Sequence, residues 1–352
     1  CPHSSLHIPP GVFVTTSQTG AQIGISTSGN LLTSDTTLSA DRVIGTADPA
    51  NDDAVPNGSG GVWHRLRRSP SAMFGGSIVI ATALVAMLAT PITRSLGLDP
   101  YRYDLTTLDS TGLPMGRFGG ISTAHPFGVE PQTGRDLFAI VIEGTRTSFL
   151  IGVGATALSM VIAIVVGVTA GYFGGWWDAV ASRGTDVILG FPQLVFMIAI
   201  SAVIPATAPR VSVMVLIIGL LGWPSTARVL RSQAMSLRSR TFVRASQAMG
   251  ASHVHIVVRQ MLPNLVATII VFTTISIPGK IGAEAALSFL GVGVTPPTPS
   301  WGRSIGSAVT WVSTDPWYLL FPGGALFLVT LAFNLFGDGL RDAIDPRLGE
   351  SR

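Results

Sequence analysis

TSFLIGVGATALSMVIAIVVGVTAGYFGGWW, residues 147–177, lies between Arg146 and Asp178 without one charged side chain. A bilayer core about 30 Å thick is crossed by about 20 helical residues at 1.5 Å each, so this stretch is long enough to span it. Five more charge-free intervals flank it: Ser69 to Thr93, Val187 to Pro209, Val211 to Ala227, Gln260 to Gly279 and Pro316 to Gly337. The interval from Val211 is short and borrows from its flanks, and the one from Gln260 continues past Lys280 and Glu284 to about Gly291. The spacing predicts an all-α polytopic membrane protein with about six transmembrane helices.

Composition agrees. Of 352 residues, 22 are Lys or Arg and 19 are Asp or Glu, so charge makes up 12%, where a soluble domain averages roughly a quarter. With a mean hydropathy of +0.51, there is too little ionic surface to cover a water-soluble body, which excludes a disordered chain and a plain soluble enzyme. The single cysteine, Cys1, supplies neither an internal disulfide nor a cysteine-rich metal site. A net charge of +3, from 21 Arg and one Lys, gives no reason to expect nucleic acid as a partner.

Residues 1–62 are rich in Ser, Thr, Gly, Pro and Asp and read as a disordered polar tail. They lack the basic start, apolar run and cleavage site of a signal peptide, so the first helix is expected to act as the targeting segment. An opening Cys1 without Met fits a processed lipoprotein or a truncated or engineered start, and with nothing upstream to show a lipobox the second is the expectation. Residues 63–348 form the membrane domain, and 349–352 a short tail.

Arginine placement sets an orientation, because cytoplasmic loops retain positive charge. Arg65, Arg67 and Arg68 precede the first span; Arg228, Arg231, Arg238, Arg240, Arg244 and Arg259 lie between the fourth and fifth; Arg341 and Arg347 follow the sixth. Six crossings put all three clusters on one side, with both termini cytoplasmic. The segment from Ser95 to Glu143 then lies outside, and its loop from about Leu98 to Asp136 is long enough to dock another protein, with Tyr101, Tyr103, Phe118 and Phe127 as contacts or as packing on the helix ends.

Catalytic signatures are missing. The only lysine, Lys280, is followed by Ile281, so no Walker A loop is present. No His-Glu-x-x-His pattern occurs; His253 and His255 are two apart, on different sides of a helix; Gly58-Ser59-Gly60 has no adjacent base. The chain reads as non-catalytic, with no cofactor or metal of its own.

The segment RSQAMSLRSRTFVRASQAMGASHVHIVVRQMLPN, from Arg231 to Asn264, is too long and too patterned for a turn. It predicts a short helix over Thr241 to Met249, with small Ala245, Ser246 and Ala248 allowing close approach. Gly250 permits a break, Ser252 caps a second amphipathic piece containing Val254, Ile256, Val257 and Met261, and Pro263 fits the first turn of the fifth span. A helix-turn-helix facing the cytoplasm fits either a docking element or a hairpin lying on anionic headgroups. Within the spans, Gly152, Gly154, Gly167, Gly171 and Gly174 permit close packing, Pro192 and Pro278 introduce kinks, and Lys280 and Glu284, four apart, form an intramembrane pair or line a pathway.

Arg244-Ala245-Ser246, Gly250 and Leu262-Pro263-Asn264 have the spacing of the EAA loop of bacterial ABC importer permeases. His125-Pro126-Phe127-Gly128 with Thr133-Gly134-Arg135-Asp136-Leu137-Phe138 resembles the segment before the second helix of the dipeptide, oligopeptide and nickel permeases. Phe289-Leu290-Gly291, Pro296 to Gly302 and Leu331 to Leu348 are similar to that group as well, so the likeness extends from about Arg67 to Leu348. Three departures stand out: Arg244 where the family has Glu, Ser246 for the second Ala, and Gln260 where His or an apolar residue is common.

The resemblance implies a type I ABC importer fold and a permease subunit that forms half of a pathway for peptides, in the bacterial inner (cytoplasmic) membrane. It implies a sister permease, two ABC ATPase subunits that hold ATP and Mg, and an extracytoplasmic peptide-binding protein. The coupling loop, about 228–264, would meet one ATPase through Arg240, Arg244, Ala245, Ser246, Ala248, Gly250, Ala251, Leu262 and Pro263. The second, third and fifth spans would face the sister subunit. A nickel-chelate importer within the family, and a secondary transporter or membrane scaffold outside it, are the competing readings.

Overall fold

The structure, a computed structural model, describes residues 59–344 except Ala206, with side chains from Trp63 onward. The tail expected over residues 1–62 lies outside the described residues, save for its last four, which begin a helix; residues 349–352 and Arg347 also lie outside.

Helices follow one another as α1 (Ser59–Arg68), α2 (Pro70–Ser95), α3 (Leu137–Phe173), α4 (Gly175–Gly190), α5 (Gln193–Val203), α6 (Arg210–Leu221), α7 (Pro224–Arg238) and α8 (Thr241–Ala248). Then come α9 (His253–Phe289), α10 (Trp301–Val309) and α11 (Pro316–Ile344). Four of them, α2, α3, α9 and α11, are continuous and apolar enough to cross a membrane. The pairs α4–α5 and α6–α7 reach that length only together, bent by 83° and 43°, so the described residues contain four spans, or up to six.

Both bends have local causes. Pro192 forces the residue before it out of the helical region, and Phe191 is extended at φ −97° and ψ 143°. Pro224 occupies the first turn of α7, where its missing N–H costs nothing, after α6 has ended at Gly222. The expected third and fourth spans are therefore each interrupted by a bend. Arg228, Arg231 and Arg238, expected in a loop, lie on helix α7. Pro278, by contrast, sits inside an unbroken α9.

The central element is α3, opened by Asp136, whose carboxylate accepts from the Ala139 N–H at 2.7 Å. Its Gly167 and Gly171 lie against the backbone of α7: a Cβ on either would fall 2.5 Å from the carbonyl of Ala227 or Arg231. Two of the glycines read as packing residues thus set how closely α7 approaches. Gly174, with φ +67°, instead turns the corner into α4.

Between α2 and α3 the chain is held by the residues of the His125–Phe138 motif. Arg135, 2% exposed, donates Nε–H to the Pro100 carbonyl at 2.6 Å and lies 3.7 Å from Glu130. Glu130 accepts from the Thr133 hydroxyl at 2.6 Å and the Tyr318 hydroxyl at 2.5 Å, which ties the segment to α11. His125 meets Asp136 at 2.7 Å, and Phe127 stacks on Phe321 with centroids 4.2 Å apart. Of the four aromatics considered as contacts, Phe127 packs the segment down, while Tyr101, Tyr103 and Phe118 are exposed.

Candidate coupling surface

Thr241 begins α8 as the sequence predicts, and Val243 and Ser246, three apart, form its buried face. Val243 joins Tyr172 of α3, Leu230 and Ala234 of α7, and Ile256, Met261 and Leu265 of α9 in one apolar core. A Schellman turn ends α8: the Ala251 N–H donates to the Ser246 carbonyl and the Gly250 N–H to that of Gln247, both at 3.0 Å, with Gly250 at φ +80°. Ser252 then caps α9 by accepting from the His255 N–H at 3.3 Å.

The first residues of α9 hold a π turn, Ile256–Met261, in which the Leu262 N–H reaches back five residues to Val257. Pro263 follows it, so it lies inside a helix running on from His253 and does not start one. The wide turn suits a residue that has no N–H to give and whose ring crowds the preceding turn.

Polar contacts fix the hairpin to the body. His253 Nδ1 and the Tyr172 hydroxyl are 2.8 Å apart, and the Gln260 amide donates to the Ser246 hydroxyl at 2.6 Å. Two departures from the family pattern, Ser246 and Gln260, are thus bonded to each other across the hairpin. Such a bond contributes about 1 kcal/mol. Neither Tyr172 nor this pairing was legible in the loop, because the partners lie on another helix or fourteen residues away.

What remains exposed is specific. Arg240, Arg244, Ala245, Ala248 and Gly250 face outward, and so do the apolar Phe242, Met249 (80% exposed) and Val254 (72% exposed). Ser246 is buried, Ala251 packs on the core and Leu262 is half-buried, so the structure does not bring these three to the exposed face, whereas Pro263 is exposed farther along α9. Arg228 and Arg231 are paired with Asp186 (2.5 Å) and Asp178 of α4. Among the described residues, Arg240, Arg244 and Arg259 form no ion pair.

Lys280 and Glu284 are not the pair their spacing suggested. Lys280 donates from Nζ to the Gly222 carbonyl at 3.0 Å, whereas Glu284, fully buried, accepts from Ser148 (2.9 Å) and Ser288 (2.7 Å). Each side chain turns to a different neighbour, α6 for one and α3 for the other.

Residues 163–350 match the family model described as the binding-protein-dependent transport system inner membrane component. Over 308 residues the chain is 36% identical to a putative peptide permease protein of Brucella ovis, covering 87% of this chain and 95% of the relative. This chain belongs to that permease family. Residues 60–113 match a second model, the N-terminal transmembrane domain of oligopeptide transport permease C. A glutathione transport system permease protein of Escherichia coli is 37% identical over 286 residues, 81% of this chain and 89% of its own length. The permease is a multi-pass helical membrane protein, and membership in an ABC importer family leaves the secondary-transporter and scaffold readings without support.

Proposed function

We propose that this permease is one of two non-identical membrane subunits of an ATP-driven importer for peptides. Residues 63–348 form half of the pathway, and the α8–α9 hairpin within about 228–264 receives the stroke of a partner ATPase. The carrying observation is the hairpin itself: an exposed face of Phe242, Met249 and Val254 flanked by unpaired Arg240 and Arg244, on a stem packed into α3, α7 and α9. Force applied to the face passes through Val243 and Ile256 to the spans without crossing a flexible link.

In this reading the hairpin side is cytoplasmic, both termini with it, and the membrane is the inner membrane of a bacterium. ATP and Mg sit on two ABC ATPase subunits, and an extracytoplasmic binding protein delivers the peptide. Peptides are favoured over nickel chelates by the names of the relatives, a peptide permease and a glutathione permease.

The test is reconstitution of the assembled importer in proteoliposomes, followed by uptake of radiolabelled dialanine. ATP-dependent uptake by the wild type, and its loss with retained membrane insertion in Gly250→Arg, are expected. Absence of peptide uptake by the intact wild-type assembly would sink the substrate; full uptake by the variant would remove the hairpin's role.

A further inference from the structure

Two helix breaks meet a continuous helix at one place. Gln193 just past the α4–α5 break, Gly222 at the α6–α7 break and the stretch of α9 from Ile275 to Ala283 line a cavity of about 320 Å³. Gln193, Ser225, Thr226, Ser276 and Lys280 supply its polar lining in an otherwise apolar body. Lys280 is the chain's only lysine and is 9% exposed. Its ammonium carries three donors, of which the Gly222 carbonyl takes one.

No carboxylate forms an ion pair with it among the described residues, although Glu284 is only one helical turn away on α9 and is committed to two serines. A buried cation without a counter-charge is costly and persists where something offsets it. Position 222 is shaped around this ammonium: a Cβ there would lie 1.5 Å from Nζ, so any larger residue displaces it. Gly222 itself has φ −95°, a value open to any residue, so its backbone conformation does not require glycine.

We propose that this cavity is a transit site for the substrate's terminal carboxylate, with Lys280 as the charged ligand and Gln193, Ser276 and Thr226 as neutral hydrogen-bonding partners. The inference rests on the peptide-importer reading and names the group recognised within it: the α-carboxylate that every peptide carries, independent of its side chains. The Gly222 carbonyl holds the ammonium in place when the site is empty, and an arriving carboxylate takes up the remaining donors. Because Gly222 ends α6 and Gln193 opens α5, with its amide on the Leu221 carbonyl at 3.1 Å, occupancy is felt at both bends at once.

Lys280 being the only lysine makes the test direct. The assembled importer in nanodiscs is treated with formaldehyde and cyanoborohydride, and dimethylation of Lys280 is read by peptide mass spectrometry, alone and with dialanine or dialanine amide. The expected result is modification in the empty assembly, reduced at least about fivefold by dialanine and little by the amide. Equal modification in all three, no modification when empty, or protection that follows the phosphatidylglycerol content of the disc instead of the dipeptide would each overturn the proposal.

Uptake separates this from the reading beneath it. If wild-type vesicles fail to import dialanine, the peptide assignment itself fails. If they import it and Lys280→Met does so equally well, only the transit site is lost. Lys280→Arg, which keeps the charge, is expected to retain at least a third of wild-type uptake while Lys280→Met falls at least tenfold, with both variants assembled to the same level.

Discussion

At its end before α3, the segment between α2 and α3 pairs buried charges with one another, whereas the hairpin between α7 and α9 buries apolar residues and leaves three arginines without an acid. Arg135, Glu130, His125 and Asp136 are all within reach of a partner, and Tyr318 fastens them to α11. Arg240, Arg244 and Arg259 have no such neighbour among the described residues. Internal satisfaction makes a fixed cap; exposed charge over a packed stem leaves a face open to another molecule. The difference teaches that one motif can hold the fold from within while the other, in the proposed function, addresses a partner.

Breaking the ion pair is expected to have the largest effect. Arg135→Met leaves Glu130 buried without its cation, which should cost about 3–5 kcal/mol; Arg244→Met should fall within about 0.5 kcal/mol of wild type. Thermal unfolding of the two variants in detergent decides, and equal losses would erase the contrast.

Glycine scanning gives the next largest contrast. Gly134 and Gly250 share a left-handed backbone, φ +64° and +80°. A Cβ on Gly134 would fall 1.9 Å from the Asp104 carbonyl, while one on Gly250 meets nothing within 4 Å. Gly134→Ala should therefore lose roughly 3 kcal/mol or more, and Gly250→Ala about 1 kcal/mol from backbone strain alone.

A reversal of sign probes the open face. Arg240→Glu with Arg244→Glu should insert and melt as wild type, yet lose ATPase co-purification by at least tenfold; retention of the ATPase would show that the arginines do not face it. Within the hairpin, a double-mutant cycle on Ser246→Ala and Gln260→Leu should return a coupling of about 0.5–1.5 kcal/mol, and a zero would dissolve the pairing of the two family departures.

The smallest effect is in pH. The Thr111 hydroxyl, above all, and the Leu113 N–H hold the Asp109 carboxyl below the usual aspartate value. A carboxyl depressed in the folded state adds stability above its unfolded pKa, and that addition is lost as pH falls through the lower folded one. Asp109→Asn should flatten the acid limb of the unfolding curve slightly, and the hairpin, which has no such carboxylate, should contribute nothing there.

Charge-free length made the spans legible because apolar stretches in a bilayer declare themselves residue by residue. The hairpin was legible for the same local reason: Thr241, Gly250 and Ser252 act within a few positions of themselves. Pro192 announced a kink, but the second bend did not stand out, since Gly222 and Pro224 sit inside a run that reads as one span. The fates of Lys280 and Glu284 were hidden altogether. Spacing on one helix brings two side chains within reach, but the Gly222 carbonyl and the Ser148 hydroxyl that claim them lie 58 and 136 residues away.

The π turn at Ile256–Met261 has a consequence for how this surface can change. It carries one residue more than an α turn would, so deleting any one residue within it would restore ordinary helical winding. That turn takes up its extra residue locally, so six residues there carry the chain about as far around the α9 axis as five do in ordinary winding. Deleting one would leave the exposed face of the hairpin aimed as before. Inserting or deleting one in the α-wound stretch beyond Leu262 would instead turn everything before it by about 100° about that axis. The π turn is therefore a place where α9 can change length by one residue without re-aiming the hairpin.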